Sequence, residues 1–258
     1  MLELPVGIAL QWVADFLLPL TRISAMLGVM VGIGAKTTPI RIKSSLAILL
    51  TIMVMPALEP SPFTDLLSFE MVILVIQQMI VGVIIGFVSM LMLNTFVLAG
   101  QIVAMQTGLG FASMVDPVNG MNVPAVGQFY LILATLLFWA LDGHLVLIQM
   151  VVHSFKAIPI GHGWLDVKHY QDIANWGGWM FSTALVLSLP PMTAMLLINI
   201  AFGILTRAAP QLNVFTIGFP ITMTAGLIIM WITLENFAFH FDNQWQQALL
   251  LACSIVDC

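Results

Sequence analysis

The chain has 258 residues, 60% of them apolar and only 7% charged, with a formal net charge of −5. That balance excludes an ordinary soluble domain, and the lysines and arginines are too few to give the basic footprint of a nucleic-acid binder. A mean hydropathy of +1.06 marks an integral membrane protein or a core subunit of one.

The start, MLELPVGIALQWVADF, carries Glu3 and Asp15 without a basic leader, so it does not read as a cleaved export signal and the first helix is expected to stay. Leu4 to Gly34 is a first long helical stretch. Its charges, Asp15 and Arg22, share a face but lie about 10 Å apart along the axis, too far for a direct pair. Ala35 to Ser45 holds Lys36, Arg41 and Lys43 and no acid, so the positive-inside rule turns this loop to the cytoplasm. A second helix runs from Ser44 to Met55, and the loop from Pro56 to Glu70, with Glu59, Asp65 and Glu70, fits the opposite side.

The third stretch, Met71 to Gly100, is about 45 Å long as one helix against a hydrocarbon core of ~30 Å, so it must tilt, kink or protrude. Gly82 and Gly86 form a small-residue pair that lets another helix approach, and Gly28 and Gly32 repeat the pattern.

Between this stretch and the next lies QTGLGFASMVDPVNGMNVP, Gln106 to Pro124. Gly108, Gly110, Gly120, Pro117 and Pro124 cannot continue a helix. Yet Leu109, Phe111, Met114, Val115 and Met121 are too apolar for a solvent loop. Phe111 and Met114 suit a hydrophobic constriction that stops ions by dewetting, or equally burial among helices.

Ala125 to Leu141 is charge-free. Asp142, Gly143 and His144 then break it from Leu145 to Phe155. A carboxylate in mid-membrane costs about 2.5–3.5 kcal/mol on insertion scales. Asp-Gly is a turn signal, so a helical hairpin is expected here, its helix end capped by the Asp142 carboxylate.

Lys156 to Trp176 reads as an aqueous loop with an amphipathic portion, ringed by Trp164, Tyr170, Trp176 and Trp179. Gly177 to Thr206 is apolar with Pro190 and Pro191 at its middle, where a kink or second hairpin is expected. Thr206 to Pro220 is a loop, Ile221 to Glu235 the last strongly apolar helix, and Asn236 to Cys258 an interfacial helix. Cys253 and Cys258 are five apart, on different faces of a helix, so free thiols are expected.

No phosphate-binding glycine loop, HExxH, GxSxG or CxxC occurs, and the five histidines are scattered, so no metal or other cofactor is expected. Ser113 with His144 is the one conceivable nucleophile and base, without an orienting third group, and the chain reads as no enzyme. An ion-coupled small-solute transporter would draw its relay from Asp15, Asp142, Glu235 or His144, but no internal repeat accompanies them.

MQTGLGFASMVDP (Met105 to Pro117), NVPAV (Asn122 to Val126), DGH (Asp142 to His144), IPIG (Ile158 to Gly161) and RAAPQLNVFTIGFP (Arg207 to Pro220) together resemble the FliR family of the flagellar type III protein export gate. The resemblance covers essentially the whole chain, residues 1–258, as one export gate domain. It implies an all-α membrane protein of long helices and helical hairpins, present once in a helical pore complex with FliP-like and FliQ-like chains. FlhB-like and FlhA-like proteins would be neighbours, in the flagellar basal body of the bacterial inner membrane, and unfolded flagellar proteins would pass through the pore. The family's pore plug corresponds to the loop at about 106–124. Phe111, Met114 and Val115 would form its seal, Gly108, Gly110 and Pro117 would set its shape, and Asp116 lies beside them. Within the second motif, Arg207, Pro210, Gln211, Asn213, Phe215, Gly218 and Pro220 would form a helix-turn that fixes neighbouring subunits, with Arg207 as a charged anchor.

Overall fold

The structure, a computed structural model, describes residues 6–60, 68–111, 113–115, 122–161, 167–209 and 218–256. These are helical almost throughout. Helix α1 is Val6–Val29, α2 Ile40–Val54, α3 Phe69–Thr107, α4 Ala125–Ala140, α5 Gly143–Ala157, α6 Val167–Ala208, α7 Phe219–Thr233 and α8 Phe237–Val256. The exception is a ribbon of two short strands, β1 (Ser113–Val115) and β2 (Asn122–Pro124), between α3 and α4. Five helical stretches among the described residues are long and apolar enough to cross a membrane: Leu10–Val29, Ile40–Ala57, Phe69–Thr107, Lys168–Ala208 and Phe219–Ile255. Ala125–Ala140 and Gly143–Ala157 pass the same test only as a pair.

Several expected boundaries move. Arg41 and Lys43 lie in the first turn of α2, not in a loop. The Lys43 ammonium donates to the carbonyls of Gly34 and Ala35, both at 2.9 Å, and so secures the turn that follows α1. Helix α3 runs seven residues past Gly100 and, at ~1.5 Å per residue, is close to 60 Å long. Residues 167–176 are the start of α6 rather than a loop, with Trp176 buried and Lys168 exposed.

Pro190 and Pro191 make no second hairpin, since α6 continues through both. The two missing donors are a local loss of roughly 3 kcal/mol or more, whereas breaking the helix would strand further backbone groups in apolar surroundings. Cys253 is not a free thiol but disulfide-bonded. Helix α8 is Phe237–Val256; Cys258 lies outside the described residues.

The chain divides into two compact units. The first comprises residues 1–90, 141–172 and 248–258. In it α1 packs on the first half of α3: Ala14 and Leu18 are buried with Met71 and Leu74, and Leu17, Val75 and Ile160 flank them. The approach is closest at two glycines. A Cβ on Gly82 would overlap the Arg22 carbonyl oxygen and meet Ala25, and one on Gly86 would lie 2.6 Å from the Met26 carbonyl oxygen. Further along, the Val31 amide, left over beyond the end of α1, donates to Ser89 Oγ at 3.3 Å. Gln78, Gly82, Gly86 and Ser89 thus form one stripe at helical spacing, small or polar throughout, as suits helices that cannot rely on a hydrophobic drive. Gly28 and Gly32 do not repeat it. Nothing lies within 4 Å of a Cβ added to Gly28, and Gly32 sits past the helix end with φ 81°.

The second unit comprises residues 91–140 and 173–247. Its core is aromatic. Phe96 packs against Phe237 and Phe241 at centroid distances of 5.1 and 5.7 Å, Tyr130 against Phe237 at 5.4 Å, and Phe138 edge-on to Trp245 at 5.4 Å. Gly100 and Gly127 let α3 and α4 touch backbone to backbone, since a Cβ on Gly100 would lie 2.8 Å from the Gly127 Cα.

Candidate functional site

The interruption between α3 and α4 has a defined frame. Helix α3 ends at Thr107, and Gly108 turns the chain out with φ 77°, a left-handed value that glycine adopts without strain. A 3-10 turn, Leu109–Phe111, leads into β1. The strands pair antiparallel, with Ser113 opposite Pro124, Met114 opposite Val123 and Val115 opposite Asn122. Pro124 ends β2 and leads directly into α4, a place where a missing amide does no harm. The segment is therefore an ordered ribbon at its two ends. Gly110 has no positive φ, and a Cβ there would make only ordinary contact, 3.4 Å from the Met105 Cα. Asp116 and Pro117 lie outside the described residues, as do the side chains of Phe111, Ser113, Met114 and Val115.

Of the second motif, Arg207 is exposed in the last turn of α6, where its charge complements the helix dipole. Pro210, Gln211, Asn213 and Phe215 lie outside the described residues. Gly218 is the buried N-cap of α7, and Pro220 is exposed in its first turn, where proline is well tolerated.

Asp142, Gly143 and His144 do form a break between helices. Asp142 is exposed, has φ 54°, and precedes the buried Gly143 at the start of α5. The expected carboxylate cap is absent. Instead the Asp142 carbonyl accepts from the amides of Leu145 (2.9 Å) and Val146 (3.2 Å), because the left-handed backbone turns that carbonyl, rather than the side chain, toward the helix start.

Arg22 is a heavily bonded polar group, completely buried in the first unit. Its Nε donates to Gln78 Oε1 at 2.7 Å, one terminal nitrogen to Ser154 Oγ at 3.0 Å, and the other to the Ile158 carbonyl at 2.9 Å. The guanidinium carbon lies 4.2 Å from the centroid of the Phe155 ring. Ile158 is the C-cap of α5, so the cation faces the negative end of that helix as well as an aromatic face. The charge is offset by dipoles and a quadrupole, and one side chain ties α1, α3 and α5 together. The sequence signal for it was a lone base in an apolar helix, but its partners, 56 to 136 residues away, leave no local trace. Of the groups a proton relay would need, Asp142 and Glu235 are exposed.

The family described as Bacterial export proteins, family 1, matches residues 13–248. The chain belongs to this family. Similar proteins include the flagellar biosynthetic protein FliR of Escherichia coli (strain K12), 35% identical over 247 residues that cover 96% of this chain and 94% of that protein. FliR of Pectobacterium carotovorum subsp. carotovorum is 37% identical over 237 residues, 91% of this chain and 90% of its own. FliR of Bacillus subtilis (strain 168) is 28% identical over 218 residues. The match of this export protein runs through both compact units, so the interruption at 106–124 and the turn at Asp142 both fall within the shared region.

Proposed function

We propose that this chain is a non-enzymatic subunit of the flagellar type III protein export gate. It assembles as a single FliR-like domain, in one copy, with FliP-like and FliQ-like chains, beside FlhB-like and FlhA-like proteins. Its place is the basal body in the bacterial inner membrane, and unfolded flagellar proteins are the cargo. The loop at about 106–124 acts as the plug, with Phe111, Met114 and Val115 as the apolar seal. The observation that carries this reading is the position of that loop: an apolar ribbon between two apolar helices, anchored at Gly108 and Pro124, within a chain of the export family.

The exposed apolar surface has to be covered by lipid or by partner chains, and the helix lengths favour partners. In Ile40–Ala57 and Lys168–Ala208 only 17% of the apolar window is buried, and in Phe219–Ile255 only 6%. At close to 60 Å, α3 and α6 are too long to be covered by a bilayer core of ~30 Å alone.

Expressed alone, the chain is expected to be degraded or to aggregate. Co-expressed with its FliP-like and FliQ-like partners it should be recovered in one stable complex, because binding stabilises only the folded chain. Purification alone as a stable monomer or symmetric homo-oligomer would contradict this reading and favour the transporter.

A further inference from the structure

Resting on the plug reading, we propose that α7 is a latch on the hinge of the plug loop: Phe219 and Gly226 hold the Thr107–Gly108 junction, and displacement of α7 frees it. The contact lies wholly within the second unit. A Cβ on Gly108 would sit 3.0 Å from Cε2 of Phe219 and 3.6 Å from Cδ2 and Cζ, so the ring covers the one residue where α3 turns into the loop. Two turns along the same face of α7, Gly226 presents bare backbone to the preceding residue. A Cβ there would lie 2.5 Å from Thr107 Cγ2 and 2.7 Å from Thr107 Cβ. Thr107 is buried, with its hydroxyl donating to the Ala104 carbonyl at 3.1 Å.

Between its two ends little else holds α7. Gly226 is the one buried residue along its length, and its N-cap, Gly218, is buried beside the Phe219 contact. Phe219 itself is 44% exposed, so the ring is a light contact that can be released rather than a core anchor. Helix α7 is thus tied at its far end, where Thr233 hydrogen-bonds Tyr130 and the chain runs on into α8, and held at its start only by the contact on the loop hinge, which is the arrangement of a lever pivoted at one end and latched at the other. It also gives the end of the RAAPQLNVFTIGFP motif a role inside the chain.

The test uses the complete export complex in its membrane, reading potassium leak and flagellar protein secreted into the medium. The Cβ positions of residues 107 and 226 need separate by only about 1 Å to reach disulfide range. Thr107→Cys with Gly226→Cys, oxidised, should block secretion, with recovery on reduction and no added leak. Phe219→Ala should leak while still secreting. Undiminished secretion through the oxidised pair overturns the latch. So does a tight Phe219→Ala complex in membranes where Phe111→Gly with Met114→Gly leaks. If the Phe111/Met114 variant is itself tight, the plug reading falls, and the cross-link alone decides whether α7 must move. Should the cysteine pair fail to assemble, Phe219→Ala, which only removes atoms, decides it.

Discussion

Arg22→Leu is expected to destabilise the folded chain strongly and to lower its thermal midpoint. The substitution removes the donor for Gln78 Oε1, Ser154 Oγ and the Ile158 carbonyl at once. An orphaned buried acceptor costs about 1–3 kcal/mol. Ser154 keeps its own bond to the Val151 carbonyl at 2.6 Å, so the loss falls mainly on Gln78 and Ile158. Gln78 Nε2 already lacks a partner, so Gln78 would be left buried with both ends unsatisfied. A total of roughly 3–5 kcal/mol is a large part of the 5–15 kcal/mol that typical domains have. Arg22→Lys should fall between, because one ammonium does not reproduce the planar fork that reaches three acceptors. Adding Gln78→Leu and Ser154→Ala to Arg22→Leu should recover part of the loss, since removing both sides of a buried bond spares the orphaned group. Thermal unfolding in detergent with the partners present measures the series. An unchanged midpoint in Arg22→Leu would show that the clamp does not hold the three helices.

Gly82→Leu is expected to be comparably damaging for a steric reason. Even the first added carbon, as in Gly82→Ala, overlaps the Arg22 carbonyl oxygen, which is helix backbone and has no rotamer by which to withdraw. Overpacking of this kind typically costs about 1–3 kcal/mol and more for larger side chains. The two predictions are coupled: Gly82 sets how near the backbone of residue 22 comes to α3, and Gln78, one turn earlier on α3, receives its guanidinium. Gly177→Ala is the control. It has nothing within 4 Å, and a helical alanine gains up to ~1 kcal/mol. Loss of stability in Gly177→Ala equal to that in Gly82→Ala would sink the close-approach argument.

The parts of this molecule legible in its sequence are those fixed by local chemistry. Glycines and prolines between Gln106 and Pro124 announce the interruption, and Asp142-Gly143 announces the break between α4 and α5. Gly82 and Gly86 announce a close approach. Other features depend on surroundings that no short window carries. Pro190 and Pro191 read as a kink or a hairpin because proline is a breaker in water; the hairpin does not form, since an apolar environment makes a broken helix worse than two lost bonds. Arg22 drew attention only through its distance from Asp15, while its real partners lie on α3 and α5. Gly28 has the spacing of a packing residue but faces open space. Phe219 looked like one more apolar residue of a family motif, and only its seat on Gly108 gives it a role. The strand pairing inside the loop was hidden because segments of three residues, split by glycine and proline, carry no periodicity.

The central claim, that the loop at about 106–124 seals the pore, is tested most directly by ion conductance across membranes containing the assembled export complex. Deleting residues 110–115, or replacing Phe111 and Met114 by Gly, is predicted to raise the conductance while secretion of flagellar proteins persists. Conductance equal to that of the unaltered complex, with the variant shown to be assembled, would contradict the account.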